Sequence, residues 1–253
     1  VRMEDLDPPR EMPGAASLIL RQLEACGFEW DGEVRYQSQR QDAYEAALAQ
    51  LHDQGDLFWC RCSRTDLARL TSTAYPGTCR RFTSPRPDAA IRLRVHEGLI
   101  RFTDAVFGAQ QEDVQHTTGD FILKRRDGPY AYQLAVVVDD ADQKVTEVVR
   151  GADLLDNTAR QIMLQQRLGL ATPAYTHLPL VVHADGTKLS KQTFAPALPL
   201  ERTVPLLLKA LHQLDQEPLP DLAGEPPAAV LAWAIEHWRP ERITPRPITQ
   251  LPA

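Results

Sequence analysis

Two stretches near the start of the chain repeat apolar residues at helical spacing. Ala16, Ile19, Leu20 and Leu23 share one face, with Gly27 placed to stop the helix. Tyr44, Ala47, Leu48 and Leu51 share another that ends at Gly55, and Ser38 with Gln41 forms a capping-box pattern before it. The period then changes. Leu57 to Cys60 reads as a short strand, Ile91 to Val95 and Leu99 to Phe102 alternate in period two and predict a hairpin, and Phe121 to Lys124 reads as a further strand. Leu134 to Val138 is a continuous apolar run, the pattern of a strand covered on both faces in a parallel sheet. It ends in Asp139-Asp140, where the carboxyl edge of such a sheet presents a ligand site. Val145 to Val149 reads as a strand, and Leu155, Ala159, Ile162 and Met163 lie on one helical face closed by Gly169. Leu178 to His183 is strand-like and precedes an Asp185-Gly186 turn. Residues 173–253 hold 13 of the 20 prolines, so the tail reads as short helices near 203–214 and 228–238 on stiff connectors.

Strands alternating with helices, interrupted by a turn-rich, cysteine-bearing stretch at residues 60–88, predict a split α/β domain with a helical appendix. The boundaries follow the changes of pattern: 1–58 and 129–200 as two parts of one catalytic domain, 59–128 as an insertion, and 201–253 as a helical C-terminal region.

Composition narrows the class. The 253 residues carry 28 Lys plus Arg against 34 Asp plus Glu, a formal charge of −6, with 43% hydrophobic residues, the profile of an ordinary water-soluble globular protein. No apolar run, Leu134 to Val138 included, approaches the length of a membrane span, and the first residues do not resemble a signal peptide. Four cysteines are too few for a disulfide scaffold, which places the chain in the reducing cytoplasm. The acidic excess argues against unspecific coating of nucleic acid, while leaving local basic surfaces at Arg80-Arg81 and Lys124-Arg125-Arg126.

Several residues can carry chemistry. Cys60, Cys62 and Cys79 offer three thiolates to a tetrahedral metal, and with no His between residues 53 and 95 the nearest fourth donor is the hydroxyl of Tyr75. Spacing alone leaves three incidental thiols as an equal alternative. Cys26, on an apolar helix face, reads as a small core residue. Lys188-Leu-Ser-Lys191-Gln192 sets two lysines three apart on a loop, suited to neutralising a polyphosphate, or simply a solvated basic turn. Arg150, at the end of a strand in Arg150-Gly-Ala-Asp153, can fork onto a carboxylate or form a surface salt bridge. Glu4, Asp5 and Asp7 could bind an ammonium or a metal, and Tyr132 reads by default as core.

Taken in order, Met3 to Arg10, the Cys60/Cys62/Tyr75/Cys79 cluster, Tyr132 to Asp139, Val149 to Leu155 and Lys188 to Gln192 resemble the glutamyl-tRNA synthetase family. They are more similar still to its short paralogues, the glutamyl-Q tRNA(Asp) synthetases, and the blocks span about residues 1 to 195. The resemblance implies a class I synthetase fold: a Rossmann-type parallel sheet split by a zinc-bearing insertion, with a small C-terminal helical region. It implies a structural Zn²⁺ on Cys60, Cys62, Tyr75 and Cys79, and ATP as substrate with Mg²⁺. Lys188 and Lys191 become the catalytic lysines of a KMSKS-type loop, with Lys191 on ATP and Leu189 where the family usually has Met. Glu4, Tyr132 and Arg150 match the glutamate-binding positions, Glu4 facing the ammonium and the other two carboxylate. The implied reaction activates L-glutamate to glutamyl-adenylate and transfers it to queuosine at the wobble position of tRNA(Asp).

Only 61 residues follow Gln192, too few for the large helical anticodon-binding region of a full glutamyl-tRNA synthetase. That fits the short branch; the alternatives are a truncated glutamyl-tRNA synthetase charging the 3′ end of tRNA(Glu) and a non-catalytic zinc-dependent tRNA-binding module. The family's first strand and HIGH-type signature have no counterpart here, so the chain is expected to be an N-terminally incomplete copy. It is expected to work as a monomer, without a membrane partner.

Overall fold

The computed structural model describes residues 1–7, 12–68, 74–96, 98–182, 198–246 and 248–249. In chain order the strands are β1 (Arg2–Met3), β2 (Arg35–Tyr36), β3 (Leu57–Cys60), β4 (Ala90–Leu93), β5 (Leu99–Asp104), β6 (Gly108–Asp113), β7 (Ile122–Lys124), β8 (Glu147–Gly151), β9 (Ala174–Leu178), β10 (Val181–Val182) and β11 (Ile248–Thr249). The helices are α1 (Ala15–Ala25), α2 (Gln41–Asp53), α3 (Arg64–Ala68), α4 (Val114–Thr117), α5 (Tyr132–Asp142), α6 (Thr158–Leu168), α7 (Thr203–Gln213) and α8 (Pro227–His237).

The α/β class holds, but the sheets are mixed rather than wholly parallel. β5, β9 and β8 run parallel in one sheet, with β6 antiparallel at its edge, and β3, β4 and β7 form a separate antiparallel sheet. β1 pairs in parallel with β2, and β10 with β11. β8, α6 and β9 make a parallel crossover unit, the connection that same-direction neighbours require. Its register sets Arg150 opposite His177.

The structure departs from the sequence expectations at several points. The run Leu134 to Val138 is not a strand. It lies in α5, which packs between α2 and α6 and against β7, so that Leu134, Ala135, Val136 and Val137 are all buried in the main core. A helix covered on every side shows no amphipathic period, so a short valine-rich run does not distinguish it from a buried strand. Nor do Ile91 to Val95 and Leu99 to Phe102 form a hairpin. β4 pairs with β3 and β7, while β5 turns back onto β6, because the alternation of each strand fixes its faces but not its partner. Ser38, finally, caps nothing: its N–H and hydroxyl both bond to the Asp5 carboxylate, and α2 starts after a 3₁₀ turn with no side-chain cap.

The Asp139-Asp140 pair therefore sits on a helix rather than at a sheet edge. Asp139 is fully buried and accepts hydrogen bonds from Gln37 (2.7 Å), Tyr44 (2.8 Å) and Arg40 (2.5 Å), tying α2 and its approach to α5. Asp140 pairs with Arg2 at 2.7 Å and holds β1 against the same helix. The C-terminal helices come where expected and enclose a second small core of Leu211, Leu222 and Val230. α1 packs toward them: Gly27 adopts φ +84°, and a Cβ there would stand 3.3 Å from the Ala228 nitrogen. Cys26 is half-buried at the end of α1 rather than in the core, since that helix has no fully buried residue.

Candidate active site and metal cluster

β8 ends in Arg150 and Gly151, and the missing side chain of Gly151 lets Asp153 fold back, since a Cβ would come 2.6 Å from its Oδ1. The Arg150 guanidinium then meets only neutral acceptors. Its Nε donates to His177 Nε2 at 3.0 Å, one terminal nitrogen to Gln161 Oε1 at 2.7 Å and the other to Thr158 Oγ1 at 2.9 Å. Two further contacts are long: 3.5 Å to the Tyr132 hydroxyl and 3.4 Å to the Leu154 carbonyl. Among the described residues no carboxylate pairs with Arg150, so the salt-bridge alternative has no partner. This half-buried positive charge, which also faces the Tyr175 ring at 5.4 Å, is chemically able to receive an anion.

Tyr132 is the first residue of α5, so its hydroxyl projects at the helix's start beside Arg150. Burial pushes the phenol up, outweighing Arg150, so it stays a hydroxyl donor. Glu4 follows β1, is exposed, and pairs with Arg2 at 3.1 Å. Its charge adds to the rise at Tyr132, which puts the three predicted residues in one electrostatic neighbourhood. The other two acids of the N-terminal cluster leave it: Asp5 goes to Ser38 and Asp7 to Arg125 at 3.2 Å. Lys188 and Lys191 lie outside the described residues.

Sequence reasoning does not find what stands behind Arg150. His177 is fully buried, and its Nδ1 lies 2.6 Å from Asp104 Oδ2. Burial alone would raise the Asp104 carboxyl, but N–H groups of Phe107 and Val106 and the His177 ring hold it below the usual carboxylate range. Only the β5–β9–β8 adjacency brings these groups together, and no local pattern marks it. Beside the site, a cleft of about 300 Å³ is lined by Tyr75, Arg92, Asp120, Gln133 and Arg160. A second of about 410 Å³ shares Arg160 with Phe102, Gln110 and Asp156. Burial lowers the Arg160 guanidinium from its ordinary value.

The predicted basic surfaces are largely neutralised. Arg80 forks onto buried Asp120 at 2.7 and 2.8 Å, Lys124 pairs with Glu45, and Arg125 with Asp127.

The three thiols do converge. Cys60, Cys62 and Cys79 present sulfurs all within 4.8 Å of one another, with Cys62 and Cys79 at 3.7 Å. The Tyr75 hydroxyl lies 3.3 Å from Cys60 Sγ and 3.8 Å from Cys62 Sγ. A tetrahedral zinc with bonds of about 2.3 Å to sulfur and 2.0 Å to oxygen has S–S edges of about 3.8 Å and S–O edges of about 3.5 Å. The donor set fits that frame. Without a metal, burial drives the Cys62 thiol up to about 11 and raises the Tyr75 phenol as well, while hydrogen bonds hold Cys79 below its ordinary value. Tyr75 is fixed by a backbone bridge to Gly119, where a Cβ would come 2.5 Å from the Tyr75 carbonyl oxygen.

Residues 1–197 match the family of class I tRNA synthetases (E and Q), catalytic domain. A glutamyl-Q tRNA(Asp) synthetase of Pseudomonas putida is 54% identical over 97% of this chain and 82% of its own length. The chain belongs to that family. The glutamyl-Q tRNA(Asp) synthetase of Pseudomonas aeruginosa is 51% identical over 96% of this chain and 83% of its own. As a class I synthetase of this group the chain is a ligase-type enzyme. The glutamate-tRNA synthetase of Elizabethkingia anophelis superposes with a TM-score of 0.77 at 19% identity, over 99% of this chain and 60% of that one. The glutamate tRNA ligase of Elizabethkingia meningosepticum gives 0.77 at 20%, over 98% and 59%. These two show the shared fold, and the chain spans about three fifths of their length. Among the described residues no helix is long and apolar enough to cross a membrane.

Proposed function

We propose that this synthetase activates L-glutamate with ATP and transfers the glutamyl group to the queuosine base at the wobble position of tRNA(Asp). The observation that carries the reading is Arg150: a guanidinium with three close neutral acceptors and no carboxylate, beside the Tyr132 hydroxyl. Its two long contacts mark N–H groups that a substrate carboxylate can take over, forming the fork that arginine geometry favours. Glu4 supplies the opposite charge for the substrate ammonium. Attack of the reacting glutamate carboxylate on the α-phosphorus of ATP expels pyrophosphate. Lys188 and Lys191 neutralise the charge that develops, and Mg²⁺ brought with ATP would supply further positive charge. A nucleophile of the queuosine base then takes the acyl group and AMP leaves. The clefts that meet at Arg160 give the acceptor nucleoside room beside the first turn of α5.

Cys60, Cys62, Cys79 and Tyr75 would hold a structural Zn²⁺ that orders the insertion at residues 59–128, a role that leaves no open coordination position. Free thiols in that cluster suit a reducing cytoplasm. The name borne by the relatives supports the acceptor assignment. The experiment is transfer of radiolabelled glutamate to tRNA(Asp) with and without queuosine, and to tRNA(Glu). Label on the queuosine-containing tRNA(Asp) alone is expected. Charging of tRNA(Glu) would make the protein an ordinary glutamyl-tRNA synthetase, and tRNA binding without any transfer would make it a binding module.

A further inference from the structure

We infer that Asp104 and His177 are the positioning pair that presents Arg150 to the substrate carboxylate, by fixing which ring nitrogen of His177 carries the proton. The inference rests on the glutamate-binding reading of Arg150. The tautomer follows from donors and acceptors. The Nε of an arginine can only donate, so His177 Nε2, 3.0 Å away, must accept, and the ring is neutral with its proton on Nδ1. That proton goes to Asp104 Oδ2 at 2.6 Å. Asp104 is itself immobilised, since its Oδ1 accepts the N–H groups of Val106 (3.0 Å) and Phe107 (2.9 Å), and its Oδ2 the N–H of His177 (3.1 Å). Both side chains are buried, on parallel neighbours β5 and β9, and Arg150 stands opposite His177 on β8. The carboxylate is thus one ring away from the guanidinium. It fixes orientation without occupying the face that the substrate needs, whereas direct contact with Arg150 would compete with glutamate.

The arrangement predicts an informative variant. In Asp104→Asn, the amide oxygen belongs at the Oδ1 position, where two backbone N–H groups require an acceptor. The amide NH₂ then faces His177 Nδ1 and forces the proton onto Nε2, where it confronts the Arg150 N–H. Arg150 loses its anchor although no charge on it changes.

Three measurements on the full-length protein decide. Long-range ¹⁵N NMR of the His177 ring should show the Nδ1–H form in the wild type and the Nε2–H form in Asp104→Asn. Glutamate-dependent ATP–pyrophosphate exchange should show the KM for glutamate raised about 10- to 100-fold, the loss expected when one hydrogen bond to a charged group is misaligned. The KM for ATP should stay within about twofold, which a merely structural defect would not spare. His177→Gln, whose side-chain oxygen can reach the place of Nε2, should retain more glutamate affinity than His177→Leu. An Nε2–H ring in the wild type, or a wild-type glutamate KM in folded Asp104→Asn, overturns the inference. If Asp104→Asn does not fold, the wild-type ring and the ranking of the two His177 variants decide, equal variants counting against it. Absence of exchange by the wild type would refute the functional reading instead, and the ring measurement would still stand.

Discussion

Replacing Arg150 by lysine keeps the charge and removes the fork. In the wild type the guanidinium spreads its donors over His177, Gln161 and Thr158 at 2.7–3.0 Å and keeps two weakly engaged N–H groups toward Tyr132 and Leu154. A lysine ammonium concentrates three donors at one point and cannot serve these acceptors and two carboxylate oxygens together. Loss of one charge-assisted hydrogen bond to substrate costs about 1.5–3 kcal/mol, which is about 10- to 150-fold in the KM for glutamate. If the contact serves ground state and transition state alike, kcat should change little. Gln161 and His177 would also lose a donor inside the protein, lowering stability by about 1–3 kcal/mol and Tm by about 2–4 °C for each of those kilocalories. The assay is glutamate-dependent ATP–pyrophosphate exchange with glutamate and ATP varied separately, beside a thermal melt. A wild-type KM for glutamate would refute the carboxylate role. Equal rises in both KM values would mean that the substitution disturbs the fold rather than the fork.

Lys191→Ala should lower kcat more than it raises KM, by about 10²-fold or more, by analogy with removing one preorganised electrostatic donor; an unchanged kcat returns the loop to a solvated turn. Elemental analysis should find about one zinc per chain, and Gly119→Ala should release it faster to a chelator. The new methyl meets the Tyr75 backbone at 2.5 Å, and the left-handed φ of +65° adds about 1–2 kcal/mol of strain. Metal-free protein with a protease-resistant insertion would count against the site. Asp104 has a depressed carboxyl in the folded state, so its stabilisation is complete above the unfolded value of about 3.9 and is lost as pH falls through the lower folded value. Urea unfolding from pH 7 to about 3 should therefore show Asp104→Asn losing less stability than the wild type below about pH 4, and parallel curves would contradict this.

What can be read from the chain follows from how local each signal is. The buried face of α2 and the stop of α6 at Gly169, which takes φ +68°, are written in consecutive turns. The Cys60–Cys62 pair is local as well, and Cys79 returns to it through the Tyr75-Pro76-Gly77 turn. Arg150 can be singled out because it ends a strand. Asp104 and His177 cannot, since 73 positions separate them and only strand adjacency joins them. The strand expectation at α5 fails for the same reason: its burial comes from α2, α6 and β7 together, which no window along the sequence contains. Ser38 imitates a cap in the sequence, but a distant acid, Asp5, outcompetes the helix for its hydroxyl.

The proposed function turns on Arg150, Tyr132 and Glu4 recognising glutamate for adenylation. ATP–pyrophosphate exchange with L-glutamate, L-glutamine and L-aspartate on the full-length protein tests it most directly. The account predicts exchange that depends on glutamate and is abolished or strongly weakened with glutamine, whose amide cannot take both arms of a guanidinium fork as a carboxylate does. Equal exchange with glutamine, or none with glutamate from folded protein that binds ATP, would contradict it.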